Sequence, residues 1–99
     1  MKANVPRNVR KKQIIAAVAE KTGMTTAYTR QVVERFMSEM ISELAHGNDL
    51  EFRGFGNFRV VTRKKKIARN PKTGTVITVP PHRVVRFRQG KEVKELLNS

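Results

Sequence analysis

The chain combines a short length with a strong positive charge: its 99 residues include 21 Lys and Arg against 8 Asp and Glu, a formal net charge of +13. The absence of Cys excludes a disulfide framework, and no apolar run approaches the roughly 20 residues that a membrane span requires. The N-terminal segment has charge but no apolar core, so we expect no secretory signal. With a hydrophobic fraction of 38%, one copy can bury only a small core, and we expect oligomerisation to complete it.

Two predicted elements open the chain. Residues 1–8 hold Pro and basic residues without periodicity, and are predicted to form a flexible basic extension. A first helix is predicted from Val9 to Thr22, with Asn8 as its N-cap and Gly23 at its end. Its apolar face is formed by residues at helical spacing: Ile14, Ile15, Val18 and Ala19.

A second helix is predicted over residues 26–46, between Thr25 as the N-cap and Gly47 just after the last turn. Its apolar stripe is formed by Val32, Val33, Phe36, Met37, Met40, Ile41 and Leu44. The stripe is wider than one short partner helix requires, which again indicates a subunit interface. The two Met residues are predicted to fill a core rather than to bind a ligand.

From Asn48 onward the apolar residues recur with a period of two, which predicts strands. Side chains alternate between apolar and charged up to Arg53, and the glycines on either side of Phe55 are predicted to reverse the chain. The strand that follows carries a basic face, and it pairs with the β-branched run 75–79 around a turn at 70–74. The outer part of this ribbon has no predicted core beneath it. Because such a hairpin is marginal alone in water, we expect an arm that closes on a partner.

The C-terminal part starts at Pro80-Pro81, which cannot donate hydrogen bonds to a strand ladder and is predicted to mark the base or bend of the arm. A strand is predicted over residues 82–87. A short helix is predicted over residues 90–97, with Val93, Leu96 and Leu97 directed inward.

Charge is distributed very unevenly along the chain. Between Phe52 and Lys91 there are twelve Lys and Arg and no Asp or Glu. Such a segment repels itself unless a polyanion neutralises it, and nucleic acid is the commonest polyanion in a cell. For residues 63–66 alone a solvated surface is the simpler interpretation, but their position in the predicted ribbon favours a binding arm.

The chain closely resembles the histone-like HU and integration host factor family in three blocks: Gly54-Phe55-Gly56-Asn57-Phe58, Arg69-Asn70-Pro71-Lys72-Thr73-Gly74 and Phe87-Arg88-Gln89-Gly90-Lys91. The resemblance implies an α+β fold: an intertwined dimer with a helical body, a β-saddle and two long β-ribbon arms per dimer. One domain is implied over residues 9–99. Residues 9–47 form its helical dimerisation part, 48–88 its saddle with an arm at about 60–80, and 90–97 its C-terminal helix.

The resemblance also implies roles for individual residues. Members of the family insert the proline of the arm tip between base pairs in the minor groove, and here that position is Pro71. The residues alone are also consistent with Pro71 as a plain turn residue after Asn70, so the wedge role rests on the resemblance. The residues implied to bind DNA are Arg53, Arg63, Lys64, Lys65, Lys66, Arg69, Asn70, Pro71, Lys72, Thr73, Gly74, Arg83, Arg88 and Lys91. The residues predicted for the dimer core are Val33, Phe36, Met37, Met40, Ile41, Leu44, Phe55, Phe58 and Phe87.

One feature favours the branch of the family that prefers certain sequences. Glu51 and Arg53 are two residues apart on a predicted strand and therefore share a face. In the integration host factor branch an acid and an arginine at matching positions help to read the groove, and a bidentate ion pair would hold the guanidinium. An ordinary exposed ion pair is an equally good interpretation.

Three features depart from the family pattern: residues 1–8, Lys66 and Pro80-Pro81.

Two other classes of function fit the sequence less well. An enzyme would need a catalytic or metal-binding constellation, but His46 and His82 have no carboxylate predicted beside them, so we expect no catalytic role, metal or cofactor. A protein that binds single-stranded RNA would need exposed aromatic side chains, and residues 60–79 contain none. Structured RNA is retained as a secondary ligand.

The sequence therefore predicts an architectural protein of the bacterial nucleoid type, located in the cytoplasm. It is expected to bind double-stranded DNA through the minor groove with low sequence specificity, to bend it and to compact it. The active form is a homodimer or a heterodimer with a related subunit. The alternatives are an integration-host-factor-like subunit with sequence preference and a protein that binds structured RNA.

Overall fold

The structure is a computed structural model that describes residues 6–99, so residues 1–5 of the predicted extension lie outside it. In chain order the elements are α1 (Lys11–Thr22), α2 (Thr26–Ala45), β1 (Leu50–Phe52), β2 (Gly56–Arg63), β3 (Lys66–Arg69), β4 (Val76–Val79), β5 (His82–Gln89) and α3 (Lys91–Leu97). The predicted α+β class is confirmed. The chain forms two compact units, one that ends at Glu39 and one that begins at Met40.

Helix α1 begins two residues later than the sequence predicted. Arg10 has an extended backbone (φ −94°, ψ 164°) and is the N-cap, so the predicted cap at Asn8 was wrong. The reason is a local hydrogen bond, because the backbone N–H of Arg10 donates to the side-chain Oε1 of Gln13 at 2.7 Å. This contact satisfies a backbone donor at the helix start. The end of the helix agrees with the prediction, since Gly23 adopts a left-handed conformation with φ 72°.

Helix α2 has the predicted caps. The backbone N–H of Tyr28 donates to the Thr25 hydroxyl oxygen at 3.1 Å, which fixes the first turn. The helix ends one residue before the predicted His46, and Gly47 follows with φ 85°. The backbone N–H of Asn48 then donates to the Glu43 carbonyl at 3.0 Å and closes the last turn.

The core within one chain is very small. Among the described residues, Ile15 and Ala19 are the buried apolar side chains, and Thr29 is buried with its hydroxyl donated to the Thr25 carbonyl at 2.8 Å. The apolar stripe of α2 stays largely open: Phe36 is 53% exposed and Ile41 is 66% exposed. This is the burial expected of a chain whose core is completed by another copy.

The strands form two antiparallel sheets. Three strands pair in the order β1-β2-β5, and β3 pairs with β4 in a two-stranded ribbon. We call the side of the three-stranded sheet that carries Phe58, Val60, Val85 and Phe87 the inner face, and the opposite side the outer face. On the inner face the rings of Phe58 and Phe87, which are paired across β2 and β5, lie 4.9 Å apart.

One hairpin register runs through both sheets. The pairing of β2 with β5 ends at Arg63 and His82, and the pairing of β3 with β4 begins at Lys66 and Val79, so each strand has two residues in the gap. Residues 64–65 therefore lie opposite Pro80-Pro81. Because proline has no N–H, the ladder is interrupted there, and the prolines separate the two-stranded arm from the sheet.

The C-terminal elements differ from the prediction in two ways. Strand β5 continues to Gln89, two residues beyond its predicted end. Leu96 and Leu97 were predicted to face inward, but they are 77% and 71% exposed, so that prediction was wrong for the single chain. Helix α3 is packed through its first turn, where the Glu92 carboxylate lies within 2.9 Å of the point that a Cβ on Gly54 would occupy. Its last turn receives no comparable cover.

Candidate nucleic-acid interface

The tip of the arm is a turn organised by Asn70. Its backbone N–H donates to the Thr75 carbonyl at 2.9 Å, and its own carbonyl accepts from the Gly74 N–H at 2.7 Å. The Asn70 side-chain oxygen accepts from the Lys72 N–H at 2.9 Å, which makes an Asx-turn. Gly74 has φ 73°, a left-handed conformation that suits glycine. These bonds hold the exposed ring of Pro71 at the apex of the turn.

The arm itself is thin, and its apolar side chains are open to solvent. Ile67 is 70% exposed and Val76 is 56% exposed, although both belong to strands. Ile77, on the other side of the ribbon, is 49% exposed. An isolated two-stranded ribbon without a core is marginally stable in water, so the arm has the properties of a segment that gains its cover from a partner.

The predicted cations divide between the two faces of the hairpin, because side chains two residues apart in a strand share a face. Arg88 lies opposite Asn57 on the outer face, whereas Arg83 lies opposite Thr62 on the inner face. Continuing the alternation along the unbroken register gives the outer-face set Arg63, Lys65, Arg69 and Arg88. The same alternation places Lys64 and Lys66 on the opposite side.

Arg83 has apolar surroundings. It lines an open concavity of about 390 Å³ together with Ile41, Leu44, Val60 and Val85. Ile41 and Leu44 were predicted for the dimer core and not for DNA binding. The phosphate contact assigned to Arg83 stays a prediction. In the structure the Arg83 side chain lies among residues that were predicted for the dimer core.

Glu51 and Arg53 lie near each other but do not pair. Strand β1 ends at Phe52, so Arg53 belongs to the following turn and not to the strand that was predicted to carry it. Within residues 6–99 no ion pair shorter than 4.0 Å joins the two side chains. Both residues line a polar concavity of about 270 Å³ with Asn57 and Arg88.

The electrostatics of the described part are dominated by uncompensated arginine and lysine. Its ion pairs are exposed. Two of them involve basic residues on or near the predicted DNA-binding surface, and both are long: Lys91 to Glu95 at 4.0 Å and Arg59 to Asp49 at 3.9 Å. Exposed pairs of this length contribute little. From Arg63 to Lys72, no cation of the arm has a carboxylate within 4.0 Å in the described chain. The arm therefore presents its full positive charge to solvent.

Two arginines of the sheet were not predicted as site residues. Arg59 on β2 lies directly opposite Arg86 on β5, on the outer face. The sequence shows both as basic residues, but their juxtaposition depends on the register of two strands more than twenty residues apart. The hairpin register is continuous from the arm into the sheet, because each strand has two residues between the two ladders. Counting residues back from the turn along both strands would therefore have predicted that Arg59 and Arg86 are paired.

Comparisons with known proteins identify the class to which this fold and basic arm belong. A sequence model of the family described as "Bacterial DNA-binding protein" matches residues 9–98. The DNA-binding protein HRL18 of Rhizobium leguminosarum is 38% identical over 90% of this chain and 98% of its own length. The DNA-binding protein HU of Caulobacter vibrioides is 36% identical over 90% of this chain and 97% of its own length.

Solved structures agree with this class. A chain of the Anabaena HU–DNA cocrystal structure superposes with a TM-score of 0.84 at 31% identity, covering 90% of this chain and 97% of that chain. An HU variant from Thermotoga maritima, at 24% identity, shares the fold with a TM-score of 0.66. The chain belongs to the family of bacterial DNA-binding proteins that includes HU, which confirms the predicted resemblance. No helix within residues 6–99 is both long and apolar enough to cross a membrane.

Proposed function

We propose that this member of the HU family is an architectural protein whose two arms enter the minor groove of duplex DNA and bend it. Double-stranded DNA as partner, the architectural role and a dimeric state follow from membership of the family. The observation that carries the proposal for this chain is the arm: a charged, coreless ribbon with Pro71 fixed at its apex by the hydrogen bonds of Asn70. No catalytic role is part of the proposal.

Pro71 acts as the wedge. An exposed apolar ring at a rigid apex can enter between base pairs, where it replaces part of the stacking that it disrupts. Unstacking costs about a few kcal/mol per step, and the resulting bend brings more phosphate to the protein. Because Asn70 and Gly74 hold the turn before DNA arrives, little further ordering is needed at the tip.

The cations of the interface bind the backbone. Arg69 and Lys72 flank the wedge, with the neutral hydroxyl of Thr73 beside them. The remaining basic residues of the predicted set follow the arm down to the sheet and to Lys91. Phosphate contacts set affinity and its salt dependence but carry no sequence information directly. A dimer with 6–10 such contacts is expected to lose about 10³–10⁵ in affinity between 50 and 200 mM salt.

The dimer core is proposed on the residues that one chain leaves open. Five of these side chains are 43–66% exposed: Phe36, Met37 and Ile41 on α2, Phe55 in the turn before β2, and Phe87 on β5. The remaining predicted members, Val33, Met40, Leu44 and Phe58, are half-buried. A second copy would cover these side chains, so we assign residues 9–47 and the inner face of the sheet to dimerisation.

Sequence preference is proposed to be low, because the minor groove carries a degenerate pattern and selectivity arises mainly from how easily a site deforms. The concavity shared by Glu51, Arg53 and Arg88 favours one alternative: a preference for certain sites, as in a heterodimer with a related subunit. In either case the protein would organise the nucleoid.

The test is Pro71→Ala in every chain of the dimer. The bend at saturating protein, measured by energy transfer between dyes at the ends of a duplex of about 40 bp, is expected to fall markedly. Low-salt affinity is expected to change less than about tenfold, because the phosphate contacts are retained.

Lys72→Gln is the matched comparison at the tip. It removes a charge beside the wedge and keeps the ring, so it is expected to weaken binding and to lower the salt slope by about 0.9 for each phosphate that the protein no longer neutralises. The bend at saturation should survive. Full bending by the Pro71→Ala protein would contradict the wedge role.

A further inference from the structure

The two strands of the arm differ in charge. Residues 63–69 contain five Lys and Arg, whereas residues 73–81 contain no charged side chain. Strand β4 lies in this uncharged stretch, and its Val76 and Ile77 are 56% and 49% exposed. Uncharged segments rich in β-branched residues are the ones that add most readily to a further strand.

One edge of β4 is open. Within residues 6–99, β4 pairs with β3 and with no other strand. The Asn70 N–H donates to the Thr75 carbonyl, so the backbone of Thr75 is directed toward the β3 side. Because hydrogen-bonded and non-hydrogen-bonded positions alternate in an antiparallel ladder, the N–H and C=O groups of Val76 and Thr78 point away from β3. Lysines or prolines usually protect such an edge, but here the first proline follows only at Pro80.

We propose that the open edge of β4 pairs antiparallel with the same edge of a second dimer, so that two arms join in one four-stranded sheet. A two-fold axis at Ile77 sets this residue against the partner's Ile77 and aligns the outward groups of Val76 with those of the partner's Thr78. The register of β3 with β4 places Ala68 beside Ile77, so an uncharged row of Ala, Ile, Ile and Ala crosses the four strands. The edge is complementary to itself, which favours a second copy over a strand of another protein.

Charge selects β4 rather than β3 as the pairing edge. In the four-stranded sheet, three strand spacings separate the two β3 strands, about 14 Å in all. This separation exceeds the screening length of about 8 Å at 0.15 M salt but not the length of about 30 Å at 0.01 M salt. Pairing through β3 would instead set like charges about 5 Å apart, which is destabilising. Arm pairing is therefore expected to strengthen with salt, whereas DNA binding weakens with salt.

The first test is sedimentation of the DNA-free protein at about 0.01 M and about 0.15 M salt. At the higher salt the average mass of the wild type is expected to exceed that of a dimer and to rise with protein concentration. At the lower salt it should return toward a dimer. Ile77→Lys places like charges opposite each other at the axis and is expected to stay dimeric at both salts. Ile67→Lys is the matched control, because it adds the same charge at a 70% exposed position of β3, and it should associate like the wild type.

Disulfide cross-linking tests the geometry without depending on a strong association. The chain has no Cys, so Ile77→Cys supplies one thiol per chain. At a non-hydrogen-bonded pair the two Cα atoms lie about 4.5 Å apart, within the range that a disulfide spans. Oxidation is expected to join dimers through this variant. The matched variant Ile67→Cys should give little product, because its thiols lie on strands at least about 14 Å apart.

A wild type that stays dimeric at both salts would overturn the arm pairing, as would equal disulfide yields from the two Cys variants. Both experiments omit DNA and take only the dimer from the proposed function. Their failure would therefore leave the proposal that the arms bind and bend DNA standing.

Discussion

At the scale of single residues, Gly56 shows how little space the start of β2 allows. It is buried and has φ 153°, in a region that side chains rarely adopt. A Cβ there would lie 2.6 Å from the Arg88 carbonyl oxygen and 2.6 Å from the Phe87 ring. Since Phe87 packs on Phe58, any shift of this ring disturbs the inner face as a whole.

Gly56→Ala is expected to lower the free energy of unfolding by about 2–4 kcal/mol, from backbone strain together with overpacking. Gly23→Ala is the matched control, because Gly23 has φ 72° but open space around its Cβ position. Gly23→Ala is expected to lower the free energy of unfolding by only about 1–2 kcal/mol. Urea unfolding at one fixed protein concentration compares the two variants. Equal destabilisation would show that the close approach of Phe87 to residue 56 adds no cost to the substitution.

Several individual roles could be predicted from residue type alone. The helix caps are one example. Thr25 was predicted as a cap because its hydroxyl can accept a backbone hydrogen bond. Gly23 and Gly47 were predicted to end helices because glycine, without a side chain, adopts positive φ. The Arg10 cap could not be predicted in this way, because arginine is no usual N-cap and the bond comes from Gln13. The pairing of Arg59 with Arg86 is not local either, since it requires the register of the hairpin.

At the scale of elements, the periodicities of 3.6 and 2 predicted the helices and strands, because each buries one stripe or one face. They were less informative for α3. Seven residues make about two turns, and apolar residues at helical spacing do not show which turn is covered. Leu96 and Leu97 were therefore assigned to a core that reaches only the first turn.

Pro80-Pro81 accounts for the division of the hairpin into sheet and arm, and its effect can be tested. Paired residues of an antiparallel ladder alternate between hydrogen-bonded and non-hydrogen-bonded positions. One of the single substitutions Pro80→Thr and Pro81→Thr should therefore restore a ladder hydrogen bond opposite residues 64–65, and the other should not. Amide hydrogen exchange at the substituted position and at Lys64 and Lys65 measures the difference.

We expect one variant to show protection at the junction and the other to exchange as freely as the wild type at Lys64 and Lys65. Absence of protection in both variants would mean that strand twist, rather than the missing N–H groups, interrupts the ladder.

At the scale of the whole molecule, charge and burial lead to the same arrangement. One chain buries Ile15 and Ala19 but leaves Phe36, Ile41 and Phe87 about half or more exposed. In our proposal the second copy of the dimer covers these three side chains. If a second copy covers the apolar surfaces, as we propose, the cations of the outer face and of the arms stay available to the phosphate backbone. The sequence predicted both needs: the small hydrophobic fraction and the wide stripe of α2 predicted a partner for the core, and the one-sided charge of residues 52–91 predicted a polyanion.

The central claim is that the protein bends duplex DNA, and ring closure tests it most directly. A duplex of about 100 bp is shorter than the persistence length of about 150 bp, so ligase alone joins its ends inefficiently. Sub-saturating protein is expected to raise the yield of closed circles strongly, because each bound dimer supplies a bend. Tight binding of the same duplex without any gain in circles would contradict the claim and would mean that the arms coat DNA without kinking it.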